Sequence, residues 1–171
     1  LLWTVIIYLL VRMIQTQEKT YWIYLGFALG LALLNKIGAL FLGAGIFAAI
    51  VATPQRKWLK TRWPYITALI SLLLFTPYII WNIKYDWAHL EFINNASSMK
   101  YGGLTPLDFW AGQLLINNPV TIPVWLLAIV YFFVKKKKTG YNFIFVVFAT
   151  VAFILTINGT SKPEYLAAPR P

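Results

Sequence analysis

The chain has 171 residues and a net charge of +10, yet only 12% of its residues are charged and 60% are hydrophobic, for a mean hydropathy of +0.67. Soluble domains carry about 25% charged residues, so this composition indicates a polytopic membrane protein. Nucleic-acid binding is excluded as a reading because the basic residues sit between apolar runs and not on one solvated face, and the lack of cysteine excludes disulfides and thiolate-metal sites.

Residues 1–14 are apolar except for Arg12 and read as the end of a spanning helix. Opening inside that run, without Met or a signal-peptide pattern, the chain is expected to be a C-terminal-side fragment of a longer protein. After the polar link 15–20 comes an apolar run over 21–52, too long for a single crossing of about 20 residues. Asn35, Lys36 and Gly38 interrupt it, which leaves one long tilted helix or a hairpin of two short ones. The basic links at 12–19 and 56–62 both suit the cytoplasmic side, which requires an even number of crossings between them and selects the hairpin. Residues 64–81 then lead outward, with Trp63 and Trp81 as interface residues, and 82–118 form an extracytoplasmic loop. Residues 120–134 return to Lys135, Lys136, Lys137 and Lys138, and 141–157 cross once more. The expected fold is an all-α, polytopic transmembrane helical bundle of about six spanning segments, a single membrane domain over 1–171. Ten of the fifteen Lys and Arg residues fall on the cytoplasmic side of this scheme.

Residues 82–118 hold three of the five acidic residues and the sole histidine. Thr105, Pro106 and Asp108 match a helix start, with Asp108 placed to cap instead of to catalyse, and the helix over 106–116 is expected to lie in the headgroup zone. If 85–98 is helical, Asp86 and His89 share a face at i and i+3 and can assist a divalent cation, a phosphate or a proton transfer; the bland reading is a solvated loop surface. No third ligand accompanies them, so no metal site is assigned, and a divalent cation is the only cofactor left open. Lys36, an ammonium close to hydrocarbon, is either snorkelled or held for an anionic ligand. Gly26 and Gly30 form a small-xxx-small pair expected to let two helices approach closely.

Several stretches carry a family resemblance. The run WIYLGFALGLALLNK ending at Lys36, the run PYIIWN from Pro77 to Asn82 followed by Asp86 and Trp87, the run FWAGQLL from Phe109 to Leu115 followed by Asn118 and Pro119, and KPEY from Lys162 to Tyr165 resemble, in order, motifs of the bacterial membrane glycosyltransferases of the GT-C class. These belong to the broad family of the dolichyl-phosphate-mannose protein mannosyltransferases and the aminoarabinose transferases of lipid A. The resemblance implies an integral enzyme of the bacterial inner membrane. It would move a sugar from a polyprenyl-phosphate-linked donor to a lipid, glycan or protein acceptor on the extracytoplasmic face. It also implies that the main catalytic acid lies upstream of Leu1 and that Lys36, Lys162 and Tyr165 face the donor phosphate. Apart from the resemblance, a carboxylate must deprotonate the acceptor, and Asp86 and Glu91 are the remaining candidates in the central external loop. Glu164 stands where the motif has a tyrosine. The competing readings are a transporter or flippase fragment, which calls for paired repeats and mid-span charges, and a non-catalytic membrane subunit.

Overall fold

In the computed structural model the apolar runs become α1 (Leu2–Thr16), α2 (Thr20–Asn35), α3 (Ala39–Ala52), α4 (Trp63–Lys84), α7 (Ile122–Val134) and α8 (Asn142–Ile157). Between α4 and α7 lie α5 (Ala88–Lys100) and α6 (Pro106–Ile116), and a 3-10 segment, Pro54–Lys60, joins α3 to α4. The structure describes residues 1–100, 105–116, 120, 122–134 and 142–158, with helical backbone alone at 96–100, 116, 125, 128 and 132–134. The all-α expectation holds, with no strand among the described residues. Residues 82–118 differ from the expected loop with one short helix: α4 runs on to Lys84, and both α5 and α6 lie in this region.

The six-span bundle is not met by helix length. Among the described residues, α4 alone, at 22 residues, is long and apolar enough to cross a membrane, with α3 and the 3-10 segment as a second candidate only if that bent pair counts as one span. The physical reason is where the polar breaks fall. The chain interrupts its apolar runs at 17–19, 36–38 and 53–54, leaving α1, α2 and α3 with 15, 16 and 14 residues. At 1.5 Å rise such helices fall short of a hydrocarbon core about 30 Å thick.

The strongest helix pair is α2 with α4, and small and hydroxylated residues make it. A Cβ added to Gly26 would stand 3.0 Å from the Ile70 Cβ, and one added to Gly30 only 2.6 Å from Leu74, so the two backbones meet as the small-xxx-small pair predicts. Across this contact the Thr67 hydroxyl donates to the Trp22 carbonyl at 2.7 Å and the Ser71 hydroxyl to the Gly26 carbonyl at 3.0 Å. Thr67, Ser71, Phe75 and Asn82 form the buried stripe of α4, whereas Leu69, Leu72, Leu73 and Ile80 point outward, as suits a helix with one face toward lipid.

Helix directions follow from the same contacts. Trp22 meets Thr67, Gly26 meets Ser71 and Gly30 meets Leu74, so α2 and α4 run parallel, and the run 21–52 does fold back between them. α3 packs on α8 through Gly45, whose added Cβ would lie 2.9 Å from the Val147 carbonyl. Beyond α3 the chain bends by 102°, because Pro54 holds Thr53 in extended backbone. Trp58 is then buried between Trp22 and Phe143, at ring separations of 5.1 and 5.7 Å, which makes α3 and α8 antiparallel. One end of the bundle therefore gathers the start of α2, the basic 3-10 segment and the start of α8. The other gathers the Lys36 turn, the end of α4 and the end of α8. This pairing of ends is the one that the charge pattern predicts, for the residues described.

Candidate functional site

At the second end, α2 stops because Lys36 leaves helical backbone for an extended conformation (φ −155°, ψ 120°). Its carbonyl accepts the Ala39 amide at 2.9 Å as α3 begins, and its side chain is exposed. Below this turn a groove of about 330 Å³ opens between α2, α3, the 3-10 segment and α4. Leu33, Ala39 and Leu40, which flank the turn, line its upper part, and Leu59, Pro64 and Tyr65 its lower part. The hydroxyls of Thr67 and Ser71 border it, but both are engaged by backbone carbonyls, so the groove offers apolar surface to an occupant. Lys36 itself is not among the lining residues; it lies in the turn between Leu33 and Ala39, which are.

The two hydrogen bonds between α2 and α4 each span 45 residues; carrying that register onward brings Lys36 level with Trp81 and Ile37 level with Asn82. There α4 ends in a Schellman-type cap. The Trp87 amide donates to the Asn82 carbonyl at 2.8 Å, and Asp86 and Trp87 adopt left-handed backbone with φ of 49° and 59°. The condition for the paired reading, one helix over 85–98, is not met. Asp86 lies in the cap, before α5 begins at Ala88, so it does not share a helical face with His89. The reason is local: a chain leaving a helix through this motif needs a left-handed residue, and Asp tolerates that region better than most. His89 instead joins an aromatic group, edge-on to Tyr78 at 5.7 Å and tilted against Phe92 at 6.4 Å. Asp86→Gly is expected to hold or raise thermal stability and Asp86→Ala to lower it by about 1 kcal/mol, read from melting curves in detergent; equal melting of the two would remove the capping role.

Glu91 lies in the first turn of α5 and is exposed. In α6 the predicted capping box is formed: the Thr105 amide and hydroxyl donate to the Asp108 carboxylate at 2.9 and 2.6 Å, and the Asp108 amide returns to the Thr105 hydroxyl at 3.2 Å. The helix differs from one lying free in the headgroup zone, since Phe109 and Gln113 are fully buried and α6 packs on α8. Leu107 and Leu115 point outward. The Thr105 hydroxyl, and then its amide, hold the Asp108 carboxyl below its ordinary value of 3.8. The sign follows: a depressed carboxyl stabilises the cap above about pH 3.8, and that contribution disappears as the pH falls through the lower folded value. An NMR titration of Asp108 is expected to give a midpoint below 3.8 that rises toward the ordinary value in Thr105→Val, which removes the hydroxyl but keeps the amide.

Lys162 and Tyr165, expected at the donor phosphate, and the run 135–138 lie outside the described residues. Among the described residues no group of three His, Asp or Glu side chains could hold a metal ion. Two buried polar groups escaped the sequence reading. Asn82, 1% exposed, donates from its amide nitrogen to the Tyr78 carbonyl at 3.0 Å, while its Oδ1 and the Tyr78 hydroxyl are buried without a hydrogen-bond partner among the described residues. The WN pair within the quoted run was the available signal.

Residues 1–81 match the family model for dolichyl-phosphate-mannose-protein mannosyltransferase, which bears out the resemblance at family level over α1, α2, α3 and most of α4. No curated protein and no solved structure matches the chain.

Proposed function

We propose, from the match of residues 1–81 to the dolichyl-phosphate-mannose-protein mannosyltransferase family model, that the chain forms part of an integral-membrane enzyme that moves a sugar from a polyprenyl-phosphate donor to a lipid, glycan or protein acceptor. The reaction takes place on the extracytoplasmic face, to which the charge pattern assigns the Lys36 end. What supports this reading is the apolar groove between α2, α3 and α4, lined by Leu33, Ala39 and Leu40 on either side of the turn that carries Lys36. The prenyl chain lies against Leu29, Leu33 and Phe47, and its phosphate reaches the ammonium. Lys162 and Tyr165 join that phosphate from the C-terminal segment, and the bacterial inner membrane is the compartment.

Chemically, sugar transfer leaves a lipid phosphate behind. A fixed cation stabilises the negative charge that develops on the departing oxygen. The acceptor hydroxyl must lose its proton, which the resemblance assigns to a carboxylate upstream of Leu1; of the residues here, Asp86 is committed to a helix cap and Glu91 remains a solvated carboxylate on α5. Replacing Lys36 and Lys162 by Ala in the full-length protein tests the reading: unchanged transfer from a polyprenyl-linked donor sinks it.

A further inference from the structure

The end of α4 carries two polar atoms that folding leaves unmatched. The Asn82 Oδ1 and the Tyr78 hydroxyl sit one helical turn apart, on the side of α4 that also carries Phe75, and each is buried with no hydrogen-bond partner among the described residues. Burying such groups costs stability, and Asn82 is 1% exposed, so this is not an amide at the edge of a loop. Neither hydrogen bond of the Asn82 backbone carbonyl nor that of its amide nitrogen relieves the Oδ1.

We infer that Asn82 and Tyr78 form a subsite for the hydroxyl groups of the donor's sugar, covered by the start of α5. This rests on the function proposed above and extends it to the recognition of the sugar. The chemistry selects the occupant. The Asn82 Oδ1 can only accept, so a phosphate, itself an acceptor, is repelled, whereas a hydroxyl donates to it and a second hydroxyl can either accept from or donate to Tyr78. Around them stand ring faces: Phe75 stacks on Tyr78 at 4.8 Å, and His89 stands edge-on to Tyr78 at 5.7 Å. Apolar faces beside two hydrogen-bonding atoms suit a pyranose, which presents C–H groups on its faces and hydroxyls at its edge. The register between α2 and α4 puts Asn82 next to the level of Lys36, so a phosphate on Lys36 has its sugar within reach of α4.

Access requires α5 to lift. Its first turn touches α4 through the Trp87 amide and His89, while Leu90 and Phe92 beyond are 49% and 68% exposed. The joint at Asp86 and Trp87 uses left-handed backbone in residues that are not glycine, a conformation held by its surroundings and released when they change.

The test measures affinity of the chain in lipid nanodiscs for two probes, polyprenyl phosphate and polyprenyl-phosphate mannose. The unsubstituted chain is expected to prefer the mannosylated lipid. Asn82→Leu and Tyr78→Phe are each expected to cut that preference about tenfold while leaving the affinity for polyprenyl phosphate unchanged, whereas Lys36→Ala weakens both probes. Removing an unmatched buried oxygen is also expected to hold or raise the melting temperature of Asn82→Leu. Tyr78→Phe keeps the ring contacts and carries the test should Asn82→Leu fail to fold. A preference retained in the folded variants, or no preference in the unsubstituted chain, overturns the inference and leaves the proposed function standing. Failure of the unsubstituted chain to bind either lipid overturns both.

Discussion

Gly30→Ala is expected to destabilise the bundle by about 1–3 kcal/mol, while Gly43→Ala leaves it unchanged or firmer. The added Cβ at position 30 would stand 2.6 Å from the Leu74 Cδ1 and 2.8 Å from its Cβ. A Cδ1 can rotate away; a Cβ is fixed to the backbone of α4, so the helices must part. Parting them stretches the bonds from Thr67 to the Trp22 carbonyl and from Ser71 to the Gly26 carbonyl, and interhelical bonds of this kind contribute about 0.6 kcal/mol each in a membrane. At Gly43 an added Cβ meets nothing within 4 Å, so the helical preference for Ala over Gly, about 1 kcal/mol, acts alone. Thermal unfolding of both variants in the same detergent checks the contrast. Equal melting temperatures would show that the α2 and α4 backbones do not meet at Gly30.

The helices and their relative directions were legible because each rests on a local or short-range signal. Apolar runs bounded by Gln17, Lys36 and Thr53 gave the elements, the basic links gave an even number of crossings between them, and Gly26 with Gly30 gave the tightest contact. The capping box at Thr105 and Asp108 is likewise a spacing that the chain enforces by itself. Asp86 and His89 share a face only if one helix runs through both, a condition that their spacing alone does not decide. The Schellman-type cap after Lys84 rotates Asp86 away, and the Trp87 bond to the Asn82 carbonyl that fixes it leaves no periodic trace. Phe109 and Gln113 were read as interfacial because nothing in α6 announces that α8 covers them. Asn82 is the same kind of omission: a buried amide is recognised by what surrounds it, and the cap that folds Trp87 back onto the Asn82 carbonyl has no periodic signature.

Lys36→Ala is expected to lower kcat/KM for sugar transfer by the full-length protein about 10²–10³-fold, the loss typical when one donor to a developing oxyanion is removed. Lys36 sits at the break between α2 and α3, where Leu33, Ala39 and Leu40 border the groove, and in the proposed function a prenyl chain in that groove places its phosphate beside Lys36. Negative charge on the bridging oxygen grows as the sugar leaves. The interaction is therefore stronger in the transition state than in the bound donor, and the loss should fall more on kcat than on KM. Lys36→Arg keeps the cation and should recover much of the rate, though a planar fork meets the phosphate with different geometry. Because the side chain is exposed, raising the ionic strength should weaken donor binding in the unsubstituted protein and have less effect in Lys36→Ala. Lys57 supplies the control. It carries the same charge on the 3-10 segment at the opposite end of the bundle, beside the Trp58 contact with Phe143. Lys57→Ala should therefore leave transfer within about twofold of the unsubstituted protein, as an exposed substitution away from the site does. Steady-state kinetics with a polyprenyl-linked donor separate the two positions. Comparable losses at Lys36 and Lys57 would reduce the effect to net charge, and full activity in Lys36→Ala would remove the lysine from the reaction.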